Sequence, residues 1–241
     1  ASLEALVCNP HKLQQPLRHK IVFGETNKAF HLIDESIENE RPYSGQESPY
    51  FYYRYQRGNP VVNVKEEKEP RRLERESIEP DSSILVQRKD PDTYPEITYL
   101  ADIYGKIRIY REWTFGRKAV FRDPQQADMR NDRLEEDFSN LGLFLNRLRR
   151  MPKARFRLLE ALKDLYAGID DYDIYIEGGT VQVFFPEGFF SIPATRLSDR
   201  TVRYLCLLAS LCDPSPPPLV CIEEPELGLH PDILPKLADL L

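Results

Sequence analysis

Glu223 and Glu224 stand side by side at the end of the apolar run Leu219-Val220-Cys221-Ile222, and Pro225-Glu226-Leu227-Gly228-Leu229-His230-Pro231 follows them. Adjacent carboxylates at the end of a strand suit one kind of chemistry. One can hold magnesium, usually through water, while its neighbour orients or deprotonates an attacking water. Successive strand residues point to opposite faces, so the pair cannot easily flank one scissile bond as a glycosidase pair does. A second group with chemical potential is Leu197-Ser198-Asp199-Arg200-Thr201, which opens an apolar stretch. A serine hydroxyl beside the unpaired N–H groups of a helix N-terminus makes an anion site. Each group alone has a plain explanation, a generic helix cap or a solvated strand end. Their order is more specific: cap, buried helix, short loop, strand, paired glutamates, glycine turn, His-Pro.

Elements must place these groups. The continuous apolar run before Glu223 predicts a strand covered on both faces, as in a parallel sheet, where ligands bind at the carboxyl ends of strands. Ser198 and Asp199 predict the cap of a buried helix through Leu211, and Pro231 starts a final helix. Upstream, residues 18 to 115 are β-rich. His19 to Phe23 predicts a strand closed by Gly24, and Tyr50 to Tyr55 predicts a second strand. The latter pairs through Gly58-Asn59-Pro60 with Val61 to Val64. The mixed run Lys65 to Arg72 predicts a solvated edge or loop. Ser83 to Gln87 is a short strand or helix start, Pro95 to Tyr104 has helical spacing ended by Gly105, and Ile107 to Tyr110 alternates as a strand. Trp113, near Phe115, is expected to pack a core edge, with base stacking the alternative.

Two helices follow, over 139–150 and 153–166, and Phe156, Leu159, Leu162 and Tyr166 are expected to mark the inner face of the second. Arg147, Arg149, Arg150, Lys153, Arg155 and Arg157 cluster at their junction, as a solvated face or as phosphate contacts. Asp173 to Phe185 predicts a hairpin turning at Gly178-Gly179.

Composition sets the bounds. The 241 residues are 41% hydrophobic and 30% charged, with a formal charge of −6. That balance excludes a broadly basic nucleic-acid binder and leaves room for a local basic face. No apolar run approaches bilayer length and the N-terminus lacks a signal-peptide core, so a cytoplasmic protein is expected. Cys8, Cys206, Cys212 and Cys221 form no C-x-x-C pair and are expected to be buried, reduced thiols.

From Ile192 to Leu241 the chain resembles the C-terminal part of ABC-type ATPase heads, in the branch of RecF, SMC and OLD-like predicted bacterial ATPases. The resemblance rests on Leu197 to Thr201, which matches an L-S-D-G-T signature, and on Glu223 to Pro231, which matches E-E-P-E-x-G-L-H-P. It extends loosely over most of the chain. It implies an α/β fold, an incomplete P-loop NTPase head with a parallel core sheet, an antiparallel β-rich N-terminal part and a helical insertion. The implied divisions are 1–115, 116–170 and 171–241. Glu223 takes the place of the Walker B acid, which binds magnesium, and Glu224 that of the catalytic base. Ser198 takes the signature serine, which in the family contacts the γ-phosphate bound by the other protomer. Asp199, Arg200 and Thr201 accompany it, and His230 lies in the turn that lines the dimer interface. The resemblance further implies ATP, magnesium, a homodimer closed by nucleotide, DNA or an effector nuclease as partner, and no membrane. A non-catalytic interaction module on the same fold is the alternative.

Two departures stand out. Arg200 occupies the signature glycine, where it either contacts phosphate or crowds the loop. The phosphate loop G-x-x-x-x-G-K-[ST] is missing, because Gly105, the one glycine of eleven followed by lysine, has Leu100 five residues before it. The expectation is that the loop precedes Ala1 and that the head's last strand follows Leu241.

Overall fold

A computed structural model describes residues 1–240 except 11, 13, 14, 27, 57, 65–70, 74–78, 80, 112, 114, 115, 117, 118, 166 and 167; of residues 26, 71, 72 and 165 only the backbone is described. The chain forms two compact units, Ala1–Lys106 and Ile107–Leu241.

The first unit is built on a six-stranded sheet whose strands follow chain order, each antiparallel to the next. They are β1 (Ser2–Val7), β2 (Leu17–Thr26), β3 (Ala29–Asn39), β4 (Phe51–Gln56), β5 (Asn59–Val62) and β6 (Arg71–Arg72). Alternation puts Leu17, Ile37, Tyr53 and Val62 on the covered face. Two helices, α1 (Ile84–Gln87) and α2 (Pro95–Tyr104), bring Ile84, Ile97 and Leu100 into the same core. The β4–β5 hairpin turns at Gly58, whose φ of +80° suits glycine. Gly24 does not close its strand as expected. It sits inside β2, where a Cβ would lie 2.5 Å from Ile33 Cδ1, so the missing side chain makes room for its neighbour across the sheet. Most of the Lys65–Arg72 run lies outside the described residues.

The second unit contains β7 (Arg108–Tyr110), β8 (Gln125–Gln126), α3 (Leu141–Arg149), α4 (Pro152–Leu165), β9 (Asp173–Glu177), β10 (Thr180–Glu187), β11 (Phe190–Pro193), α5 (Asp199–Leu211), β12 (Val220–Ile222) and α6 (Leu234–Leu240). Antiparallel β10 pairs with β8, β9 and β11. Helix α5 is buried from Val202 to Ser210 and packs against α3 and α4. Phe144, Leu145, Leu158, Leu162 and Phe185 share a core with its Leu205.

The inner face of α4 differs from the expected one. Phe156 is 67% exposed, whereas Leu158 and Leu162 are 0% exposed. Ala154, Leu158, Ala161 and Leu162 follow i, i+4, i+7 and i+8, the tighter helical stripe. Tyr166 lies outside the described residues. Cys206 and Cys212 are buried and Cys221 half-buried as free thiols, but Cys8 is exposed because it follows an edge strand.

The parallel part of the fold, among the described residues, is the pair β7 and β12, with Val220 opposite Arg108, Cys221 opposite Ile109 and Ile222 opposite Tyr110. β12 is half-buried rather than covered on both faces. Val220 and Ile222 pack on the core, and Cys221 points the other way, as period-two alternation requires. The described residues thus form a mixed α/β fold with antiparallel sheets and one parallel pair. Among the described residues no helix is long and apolar enough to cross a membrane.

Candidate active site

β12 delivers Glu223 and Glu224 at its carboxyl end, where both side chains are exposed. The ladder to β7 continues one residue past the strand, since the Glu223 N–H donates to the Tyr110 carbonyl at 2.9 Å. The backbone then swings over: Glu224 has φ +46°, a left-handed conformation that costs a non-glycine residue roughly 1 kcal/mol. Its carbonyl accepts from the Leu227 N–H at 3.0 Å, and Leu229 closes a second turn onto Glu226 at 3.0 Å. Gly228, at φ +73°, supplies the reversal between them. Among the described residues neither the Glu223 nor the Glu224 carboxylate makes an ion pair or a hydrogen bond.

Two residues outside both motifs hold this turn. Trp113 Nε1 donates to the Glu223 carbonyl at 3.1 Å, and Arg203 Nη2 donates to the Glu224 carbonyl. The Arg203 guanidinium lies 4.2 Å from the Trp113 ring centre. Trp113 stacks on Phe138 at 5.0 Å, and Phe138 stacks on Tyr110 at 5.2 Å. A column therefore runs from β7 to the carboxylate turn and ends in a cation. Arg203 is 0% exposed, and burial lowers its pKa against the opposing pull of Glu224 and Glu226. Neither residue belongs to a motif. The legible signal was a lone charge within the apolar stretch Val202 to Leu211, because a buried guanidinium needs polar partners.

At the other end of the helix, Ser198 caps α5 by accepting from the Thr201 N–H at 3.1 Å, and the two hydroxyls lie 2.8 Å apart. Asp199 is engaged within the fold: its carboxylate meets Arg122 at 2.5 Å and accepts from the Gly116 N–H at 3.1 Å. The bond from Arg122 first, then that from Gly116, hold the Asp199 carboxyl below its ordinary pKa. Arg122 also donates to the carbonyls of Thr195 and Leu197, both at 2.8 Å, which pins the chain entering the helix. Arg200 is exposed. His230 caps the 3-10 turn Pro231–Ile233 by accepting from the Asp232 N–H at 3.3 Å.

Helix α5 brings the motifs together. Ser198 stands at its head, and Arg203, about 7 Å along the axis, reaches the carboxylate turn. His230 is placed on the far limb of that turn. In the basic cluster, Arg147 pairs with Asp213 at 3.4 Å, Arg149 with Asp173 at 2.6 Å and Arg155 with Asp171. Arg150, Lys153 and Arg157 are exposed to solvent.

A parallel strand ending in exposed carboxylates, tied through Arg203 to a serine-capped helix, puts polar groups at the carboxyl end of the strand, the side on which α/β sheets bind ligands. The chain belongs to the family described as "AAA domain, putative AbiEii toxin, Type IV TA system", whose profile matches residues 23–241. That family places it among P-loop AAA-type, nucleotide-binding ATPases. No curated protein matches the chain.

Proposed function

We propose that this chain is the signature-helix and Walker B portion of an ATP-hydrolysing head of the RecF/SMC/OLD-like branch. In this proposal two protomers close on bound ATP and reopen after hydrolysis. The observation that carries it is the Glu223–Glu224 pair, exposed at the end of a parallel strand, without an ion pair or carboxylate hydrogen bond among the described residues, and tied through Arg203 to the helix that Ser198 opens. These 241 residues contain no G-x-x-x-x-G-K-[ST], so the roles proposed below are those of the signature helix and the carboxylate turn alone.

Roles follow from position. Glu224 holds the attacking water and accepts its proton, the task that suits an exposed carboxylate without an ion-pair partner. Glu223 offers one oxygen ligand for magnesium. A single carboxylate oxygen is the kind of ligand magnesium takes when nucleotide phosphates and water supply the rest of its shell. When bound, magnesium neutralises charge on the β- and γ-phosphate oxygens. Ser198, Thr201 and Arg200, at the head of α5, present hydroxyls, the helix dipole and a cation to the nucleotide of the partner protomer. Asp199 serves that loop indirectly, since its carboxylate is committed to Arg122.

The output goes to DNA or to an effector protein. The family description, which names a toxin of a type IV TA system, favours an effector setting over repair. Arg200 at the signature glycine favours the second reading, a non-catalytic interaction module. ATP binding and turnover by the full-length protein and its Ser198→Ala variant separate the two. Loss of turnover in the variant supports the ATPase head, and absence of ATP binding in both supports the module.

A further inference from the structure

We propose that Arg203 and Trp113 are positioning residues that lock the Glu223–Glu224 turn in its left-handed form and so aim the Glu224 carboxylate. This rests on the hydrolytic role proposed for Glu224. A glutamate at φ +46° persists only where its surroundings over-determine the backbone. Here Glu223 is held at its N–H by the Tyr110 carbonyl, 2.9 Å away, and at its carbonyl by Trp113 Nε1, 3.1 Å away. The Glu224 carbonyl takes Arg203 Nη2 and the Leu227 N–H together. Side-chain donors thus fix both peptide carbonyls and leave both carboxylates free for ligands.

The clamp itself is rigid. The Trp113 ring covers the guanidinium at 4.2 Å and is backed by Phe138 at 5.0 Å. Phe138 in turn rests on Tyr110, the last residue of the strand that pairs with β12. Strand and turn are therefore held from one column, so the Glu224 backbone, and with it the direction in which the side chain leaves the chain, is tied to the sheet. A buried guanidinium is a costly way to fill a core, since an apolar side chain of similar volume packs without desolvating a charge. A single ammonium could not both stack on the indole and present the same planar donor, so lysine is a poor substitute.

The test is a double-mutant cycle read by thermal unfolding, with ATP kinetics on the same full-length variants. Glu224→Gly removes the left-handed penalty and should raise the unfolding midpoint of the otherwise native protein. In an Arg203→Met background the turn has already relaxed, so the same Glu224→Gly substitution should raise the midpoint less. Equal gains in the two backgrounds would overturn the proposal. The cycle repeated with Trp113→Phe, which keeps the stacked ring and drops one N–H, serves if Arg203→Met does not fold. Trp113→Phe should also lower kcat for ATP about tenfold and leave KM within about twofold, and Arg203→Lys should not restore turnover. Unchanged kcat in Trp113→Phe contradicts the positioning role. Absence of ATP turnover in the native protein instead overturns the hydrolytic reading, and the cycle reports on the clamp apart from it.

Discussion

Ser198 and Asp199 are adjacent in the chain and do different work. The serine hydroxyl completes the head of α5, while the aspartate fastens that head to Arg122 and Gly116. Asp199 has a depressed folded pKa, so its pairing stabilises the protein fully above the ordinary carboxylate pKa of 3.8 and is lost as pH falls through the lower folded value. The unfolding midpoint of the native protein should therefore fall more than that of Asp199→Asn between about pH 5 and pH 2. Parallel curves would show that the pair contributes nothing. Both motif groups were legible because their chemistry is written in residue type and order: two carboxylates after an apolar run, a hydroxyl before an apolar helix. The commitment of Asp199 was not legible, because Arg122 lies 77 residues away. Trp113 is equally hidden, since its contact to the turn exists only once the aromatic column is stacked, whereas Arg203 shows in the sequence as a lone charge in an apolar stretch.

Elements were read well where local pattern decides them. The helix at Pro95–Tyr104, the hairpin turning at Gly178-Gly179 and the capped helix α5 all follow from spacing and turn residues. β3 escaped because its pattern is interrupted by polar residues that the fold buries. Glu35 is covered, yet it accepts from the Ile84 N–H at 3.0 Å and lies 3.1 Å from His19 Nε2, and buried Asn39 accepts from Tyr52. Such satisfied polar sites look like surface to a hydrophobic count. The inner face of α4 is rotated by about a third of a turn from the expected stripe, with Leu162 common to both, and this has a measurable consequence. Leu158→Ala should cost about 2–5 kcal/mol in denaturant unfolding, and Phe156→Ser should stay within about 0.5 kcal/mol. Gly142 marks a close approach of α3 to β8 and β10, where a Cβ would meet Gln125 Oε1 at 3.0 Å and Val181 and Val183 at 3.1 and 3.2 Å. Gly142→Ala should thus destabilise by about 1–3 kcal/mol despite its better helix propensity. A neutral or stabilising result would mean that helix and sheet part easily.

At the scale of the molecule, antiparallel sheet dominates, and the parallel architecture inferred from resemblance is represented by β7 and β12. That pair suffices to place the carboxylates, because the ligand side of a parallel sheet is set by strand direction rather than strand number. Family membership points to a nucleotide, and Glu224 and Glu223 are the proposed base and the proposed magnesium ligand. The charge of −6 leaves any nucleic-acid contact to local groups such as Arg150, Lys153 and Arg157. The central claim is that Glu224 is the base for ATP hydrolysis. It is tested most directly by single-turnover hydrolysis and ATP binding in the full-length protein and its Glu224→Gln variant. The account predicts that the variant binds ATP, accumulates as a nucleotide-bound dimer and hydrolyses at least about a hundredfold more slowly. Equal hydrolysis rates in the two proteins would contradict it.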